Sequence, residues 1–153
     1  MGALHASNPN VGADVAALGF AALAGVMERA RIEHLTRNQH VLFRLGEMIA
    51  YSECAGSLSR RAARAAEGQL PPKADTRFEA TGLAALARIF ARESALKAGR
   101  EGLRWIVGTQ STTHKDIVLF EQSLGLRNID AAQEGLVADM DFVADVLYGR
   151  NKI

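Results

Sequence analysis

From Asn38 to Gly68 the chain runs NQHVLFRLGEMIAYSECAGSLSRRAARAAEG without a proline, bracketed by a residue that starts helices and one that stops them. Asn38 can accept hydrogen bonds from the first free amides of a helix, and Gly68 can take the left-handed turn that ends one. A helix of that length is roughly 45 Å long, at 1.5 Å per residue. It fixes the long dimension of whatever the chain folds into. The rest must be elements long enough to cover it.

The surrounding sequence favours more helices. Ala, Leu, Arg and Glu are abundant, only three prolines occur, and long Val/Ile/Thr runs are absent. Residues 1–13, MGALHASNPNVGA, are small, polar and rich in turn formers, and read as a tail or linker stub. A first helix is expected over Asp14–Leu35. Its apolar half, VAALGFAALAGVM, has no polar stripe and should be surrounded by other elements. Gly19 and Gly25 each weaken it by about 1 kcal/mol relative to Ala, which close approach of a neighbouring backbone would offset.

Pro71 and Pro72 place a loop at QLPPKADT. A third helix then starts near Thr76 or Arg77, with Glu79 as capping partner, and continues to Val107. GTQSTTH breaks it, a shorter helix covers Lys115–Leu124, and GLRN reads as a turn. Asp130, with Gln133 three residues on, is the expected cap of the last helix. There Leu136, Met140, Val143 and Leu147 share one face, and Glu134, Asp141 and Asp145 another. Long helices with short connections predict an all-α, up-down antiparallel bundle of four to five helices, in one domain over residues 14–150.

In the Asn38–Gly68 helix, 100° per residue separates two apolar sides. Leu42, Leu45, Met48, Ile49, Ser52 and Gly56 lie on one; Tyr51, Cys54, Ala55, Leu58 and Ala62 lie roughly opposite. Either the bundle covers both, or one side docks on a separate domain. Arg60, Arg61 and Arg64 in the last turns either complement the negative helix end or form a surface for an acidic partner. Together Tyr51, Leu58, Arg60, Arg61 and Arg64 make the candidate interaction surface.

Composition narrows the function classes. A net charge of +1 gives no basic field for nucleic acid or anionic lipid. The longest uncharged run, Val15–Met27, falls short of the about 20 apolar residues that span a bilayer. No signal-peptide pattern opens the chain. One cysteine, Cys54, forms no internal disulfide and fits a reducing, cytoplasmic compartment. It reads as a small buried hydrophobe, and Trp105 as a core anchor. Glu-x-x-His pairs, zinc-ligand spacing and phosphate-binding glycine loops are missing, so no metal or cofactor site is expected from these residues.

The pattern N-Q-x-x-x-x-R-L-x-E-M, carried here by Asn38, Gln39, Arg44, Leu45, Glu47 and Met48, resembles a helix of the acyl-CoA dehydrogenase family. With Leu58-Ser59-Arg60 and the closing Glu67-Gly68, it is most similar to the extra C-terminal helical domain of the very-long-chain type. The resemblance spans about Leu4–Gly108. It implies a bundle like that domain, attached to a flavin-binding catalytic domain in a homo-oligomer of fatty-acid β-oxidation. It also implies peripheral contact with the inner membrane. FAD would belong to the parent enzyme, since the family's flavin-gripping segment and catalytic glutamate motif have no counterpart here. The chain alone is therefore expected to be non-catalytic. Two alternatives stay open: a stand-alone helical adaptor or assembly protein, and a small flavin- or acyl-CoA-binding bundle.

Overall fold

The computed structural model describes residues 1–71, 77–109 and 113–150, and among them every regular element is helical. The elements are α1 (Gly2–Ser7), α2 (Ala13–Ile32), α3 (Gln39–Ala66), α4 (Glu79–Leu96), α5 (Gly102–Val107), α6 (His114–Ser123), α7 (Leu126–Ala131) and α8 (Leu136–Leu147). A 3-10 turn at Leu35–Arg37 joins α2 to α3. A π-helical turn at Lys97–Glu101 makes α4 and α5 one continuous rod.

Three long rods form the centre. A Cβ added at Gly12 would lie 2.9 Å from the Cα of Arg88, and one at Gly19 would lie 3.1 Å from the Cα of Ala95. One at Gly102 would lie 2.4 Å from Cγ2 of Val26. The pairs 12/88, 19/95 and 26/102 share one offset and step by seven, so α2 and the α4–α5 rod run parallel in a fixed heptad register. The rods approach this closely because glycine removes the side chain at each crossing. The close approach expected at Gly19 is thus backbone to backbone, whereas Gly25 sits beneath the Leu124 side chain. Against both rods α3 runs antiparallel, with Phe20 of α2 against Gly56.

The ends of α3 follow from local chemistry. Asn38 Oδ1 accepts from the amides of His40 and Val41, at 3.0 and 3.4 Å. Gly68, at φ +68°, turns the chain so that Gln69 N–H donates to the Arg64 carbonyl at 2.7 Å. Along α3 the buried residues include the line Val41, Leu45, Met48, Ser52, Ala55, Ser59 and Ala62, spaced alternately by four and three, with Gly56 and Ala63 beside it. The two expected stripes are therefore the shoulders of one buried face, and its centre line passes between them. Cys54 corrects accordingly: it is exposed, one position before the buried Ala55.

The main core holds Val26, Val41, Met48, Ile106 and Ile129, all under 3% exposed. A second core forms around Val11, Ala13, Ala62, Ala63, Leu83 and Ala87, with Met1 and Leu4 packed against it. Residues 1–13 are accordingly no free tail: Gly2–Ser7 is helical and Val11 and Ala13 are buried. The third helix begins at Glu79; Pro72 and Thr76 lie outside the described residues. Leu126–Asn128, read as part of a turn, instead opens α7 after Gly125 at φ +66°. Asp130 lies within α7 and pairs with Arg100, so it is not the cap of the last helix. That helix starts after Gly135, whose φ of +79° no side-chain cap would allow cheaply.

Candidate functional site

The outward side of α3 runs along the longest helix among the described residues and is exposed at both ends. Because residues 41, 45, 48, 52, 55, 59 and 62 point inward, positions 42, 43, 46, 49, 53, 57, 60, 61 and 64 point away. The first half of this side is apolar: Leu42 is 51% exposed, Phe43 65% and Ile49 38%. Its second half carries Arg60, Arg61 and Arg64, all exposed and without an acidic partner among the described residues. On neighbouring α2, Met27 and Ile32 are also exposed.

The five residues expected to form one interaction surface are not all on this side. Arg60, Arg61 and Arg64 are. Tyr51 instead stacks on Phe90 of α4, with ring centroids 5.6 Å apart and planes 16° from parallel. Leu58 is half-buried and packs on the second core. Both lie on the shoulder of α3 that faces α4, where Tyr51 still keeps 37% of its surface exposed.

Around Tyr51 the π-helical turn builds a polar cluster. Lys97 Nζ donates to Glu47 Oε1 at 2.9 Å and to Glu101 at 3.3 Å, and lies 4.8 Å from the Tyr51 ring centroid. Arg44 Nη1 donates to Glu47 Oε2 at 2.9 Å. The hydrogen bond that Lys97 donates to Glu47 holds its pKa above the ordinary value, against the opposing effect of burial and with Glu101 adding to it. Glu47 is held below its ordinary value, first by Lys97 and then by Arg44. Every charge here is matched, which makes the cluster a clasp between α3 and α4.

A second network went unseen in the sequence. Asp139 of α8 accepts from Arg88 Nε at 2.9 Å and from Arg92 Nη1 at 2.6 Å. Arg92 also donates to the carbonyls of Ala132 at 2.9 Å and Glu134 at 2.7 Å, and Arg88 to that of Asn10 at 2.6 Å. Two arginines of α4 thus fasten both α8 and the segment before α2. Burial pushes the Asp139 carboxyl up, and the hydrogen bonds from Arg88 and Arg92 outweigh it, so its pKa lies below the ordinary value. On α8 the inward line is therefore Leu136, Asp139, Val143 and Val146, while Met140 and Leu147 are 41% and 55% exposed. Spacing could have suggested Arg88 and Arg92 as a pair on one helix face, but not their partner 47 residues on.

Trp105 is only partly buried. Its ring lies 5.2 Å from the Arg44 guanidinium and 5.5 Å from that of Arg104. No cluster of His, Cys, Asp and Glu suited to a metal occurs among the described residues, and no helix there is long and apolar enough to cross a membrane.

These features define a helical bundle whose internal charges are matched and whose longest helix keeps one side open. Compared with known proteins, the chain matches no family model, no curated sequence and no solved structure.

Proposed function

We propose that the chain is a non-catalytic helical docking domain that uses the outward side of α3. One observation carries this reading. A 28-residue helix leaves Leu42, Phe43 and Ile49 exposed along half its length, and along the other half three arginines without an acidic partner among the described residues. Isolated exposed apolar residues are ordinary, but a continuous apolar run beside a charged one fits an interaction site. The polar clasp and the Arg88–Arg92–Asp139 network make the bundle a firm support for such a surface.

The resemblance of Asn38–Gly68 to the acyl-CoA dehydrogenase appendage gives the reading its specific form. The domain would pack on a flavin-binding catalytic domain and contribute to a homo-oligomer. FAD would sit in that partner, and any membrane positioning would be peripheral. Co-expression with the flavin-binding acyl-CoA dehydrogenase of the source genome tests this. Co-elution should be abolished by Phe43→Glu and weakened by Arg60→Glu with Arg64→Glu; independent elution of the two wild-type proteins would reject the specific form.

A stand-alone adaptor is the second reading. It is supported by Leu4 and Val11, whose packing in the second core makes residues 1–13 part of the bundle. A stable complex with a protein unrelated to flavoenzymes, through the same side of α3, would select it. A flavin- or acyl-CoA-binding bundle would show itself as a thermal shift with either ligand.

A further inference from the structure

At the end of the bundle where α3 begins, a pocket of about 310 Å³ opens between the start of α3 and the end of α5. Asn38, His40 and Val41 form one wall; Arg104, Trp105, Gly108 and Thr109 form the other. No carboxylate stands among these described lining residues. Arg104 is exposed and has no acidic partner among the described residues, in contrast with Arg44 beside it, which is tied to Glu47. Its guanidinium is set against the Trp105 ring, which holds it without neutralising it. Asn38 already uses Oδ1 to cap α3, so the amide has its Nδ2 hydrogens left to offer. His40 adds a further ring nitrogen at the same wall.

One lining residue, Trp105, also carries a donor that is closed off from the pocket's solvent. Trp105 Nε1 is shielded from solvent and has no acceptor among the described residues. An indole N–H left this way costs about 1–3 kcal/mol, so such groups are usually satisfied. The pocket therefore combines a cation without an acidic partner among the described residues, the Asn38 and His40 side chains and a partly apolar wall. The larger cleft beside α6 and α7, of about 450 Å³, differs on this point: Glu121 and Asp130 line it, and its Arg100 is already paired with Asp130.

We infer that the pocket at Trp105 binds a small organic oxyanion, a carboxylate or a phosphate monoester. Arg104 pairs with the anionic group, and Asn38 and His40 flank it. Val41 and Trp105 contact the organic part. Charge-assisted bonds from a guanidinium are the strong ones in such sites, and a volume near 300 Å³ is at the lower end of ordinary ligand pockets. This inference is independent of docking through the outward side of α3, and either can fail without the other.

Trp105 is the only tryptophan in the chain, so its fluorescence reports on this pocket alone. The full chain is titrated with phenyl phosphate and with benzoate, and separately with inorganic phosphate and neutral benzamide. A saturable change is expected with at least one of the two organic anions, and none with benzamide. Arg104→Gln should weaken that binding at least tenfold with an unchanged far-ultraviolet circular dichroism spectrum. Arg104→Lys, which keeps the charge, should weaken it less and shows that the effect is not misfolding. The inference is overturned by any of three results: no saturable change with either organic anion, an equal response to benzamide, or undiminished binding by Arg104→Gln. Inorganic phosphate binding as tightly as phenyl phosphate would overturn the assignment of an organic ligand.

Discussion

Gly102 and Val26 meet with no room for a methyl group between them, since an added Cβ would fall 2.4 Å from Cγ2 of Val26. Alanine should stabilise a helix by about 1 kcal/mol over glycine, but here overpacking opposes it with a cost of typically 1–3 kcal/mol. Gly102→Ala is therefore expected to lower stability in urea denaturation, and Val26→Ala in the same chain should recover part of the loss. Purely additive effects of the two would contradict the crossing. His34 offers the opposite case: it follows α2 at φ +56°, where a side chain is strained. His34→Gly should raise stability by about 1 kcal/mol, measured as a higher urea midpoint at unchanged slope. A lower midpoint would show that the side chain makes a contact worth more than the strain. Such positions differ in how legible they are from sequence. Asn38 and Gly68 could be read directly because a cap and a left-handed stop act within a few residues. Cys54 could not: one position separates it from buried Ala55, and only the neighbouring helices decide which of the two faces them.

At the scale of elements, α8 is held by charge as much as by apolar packing. Asp139→Ala would leave Arg92, which is 8% exposed, without its carboxylate, and breaking a pair so buried costs about 3 kcal/mol. The depressed pKa of Asp139 fixes the sign of the pH effect. Its contribution is fully present above the unfolded value near 4, and is lost as pH falls through the lower folded value. Wild type should lose stability below about pH 4 more steeply than Asp139→Asn, as measured by denaturant unfolding across the acid range. Parallel curves would remove Asp139 from the account. Lys97 works at the other end: its raised pKa contributes stability below the unfolded value near 10.4 that is lost as pH rises through the folded one. The helical nature of α8 was readable from its period, yet its inward line was not. An aspartate on the buried side looks like an error in a hydrophobic pattern until Arg88 and Arg92 are placed opposite it. Asp130 was misplaced for a related reason, because capping chemistry in the sequence cannot tell a helix start from a residue inside the preceding helix that pairs with Arg100.

Across the whole molecule, α2, α3 and the α4–α5 rod form an up-down-up core, with α8 fastened to one side and the outward side of α3 left uncovered. The all-helical class was legible because every long segment agreed on it, while the number of rods was not. The continuity of α4 and α5 rests on a π-helical turn, whose extra residue leaves no periodic mark. A net charge of +1 gives little attraction to an anionic bilayer, so co-sedimentation with anionic liposomes should be weak at moderate salt. Strong co-sedimentation would move the docking role of α3 toward a membrane surface.

The claim on which the functional reading rests is that Leu42, Phe43 and Ile49 form an available binding surface. Its most direct test is fluorescence of the apolar probe ANS bound to the folded chain. Leu42→Glu with Phe43→Glu is compared with Val137→Glu, a control on exposed α8. Clear binding by the wild type is expected, most of it lost in the α3 variant and most of it kept in the control. A wild type that leaves the probe silent, or an α3 variant that binds it equally well, would contradict the account.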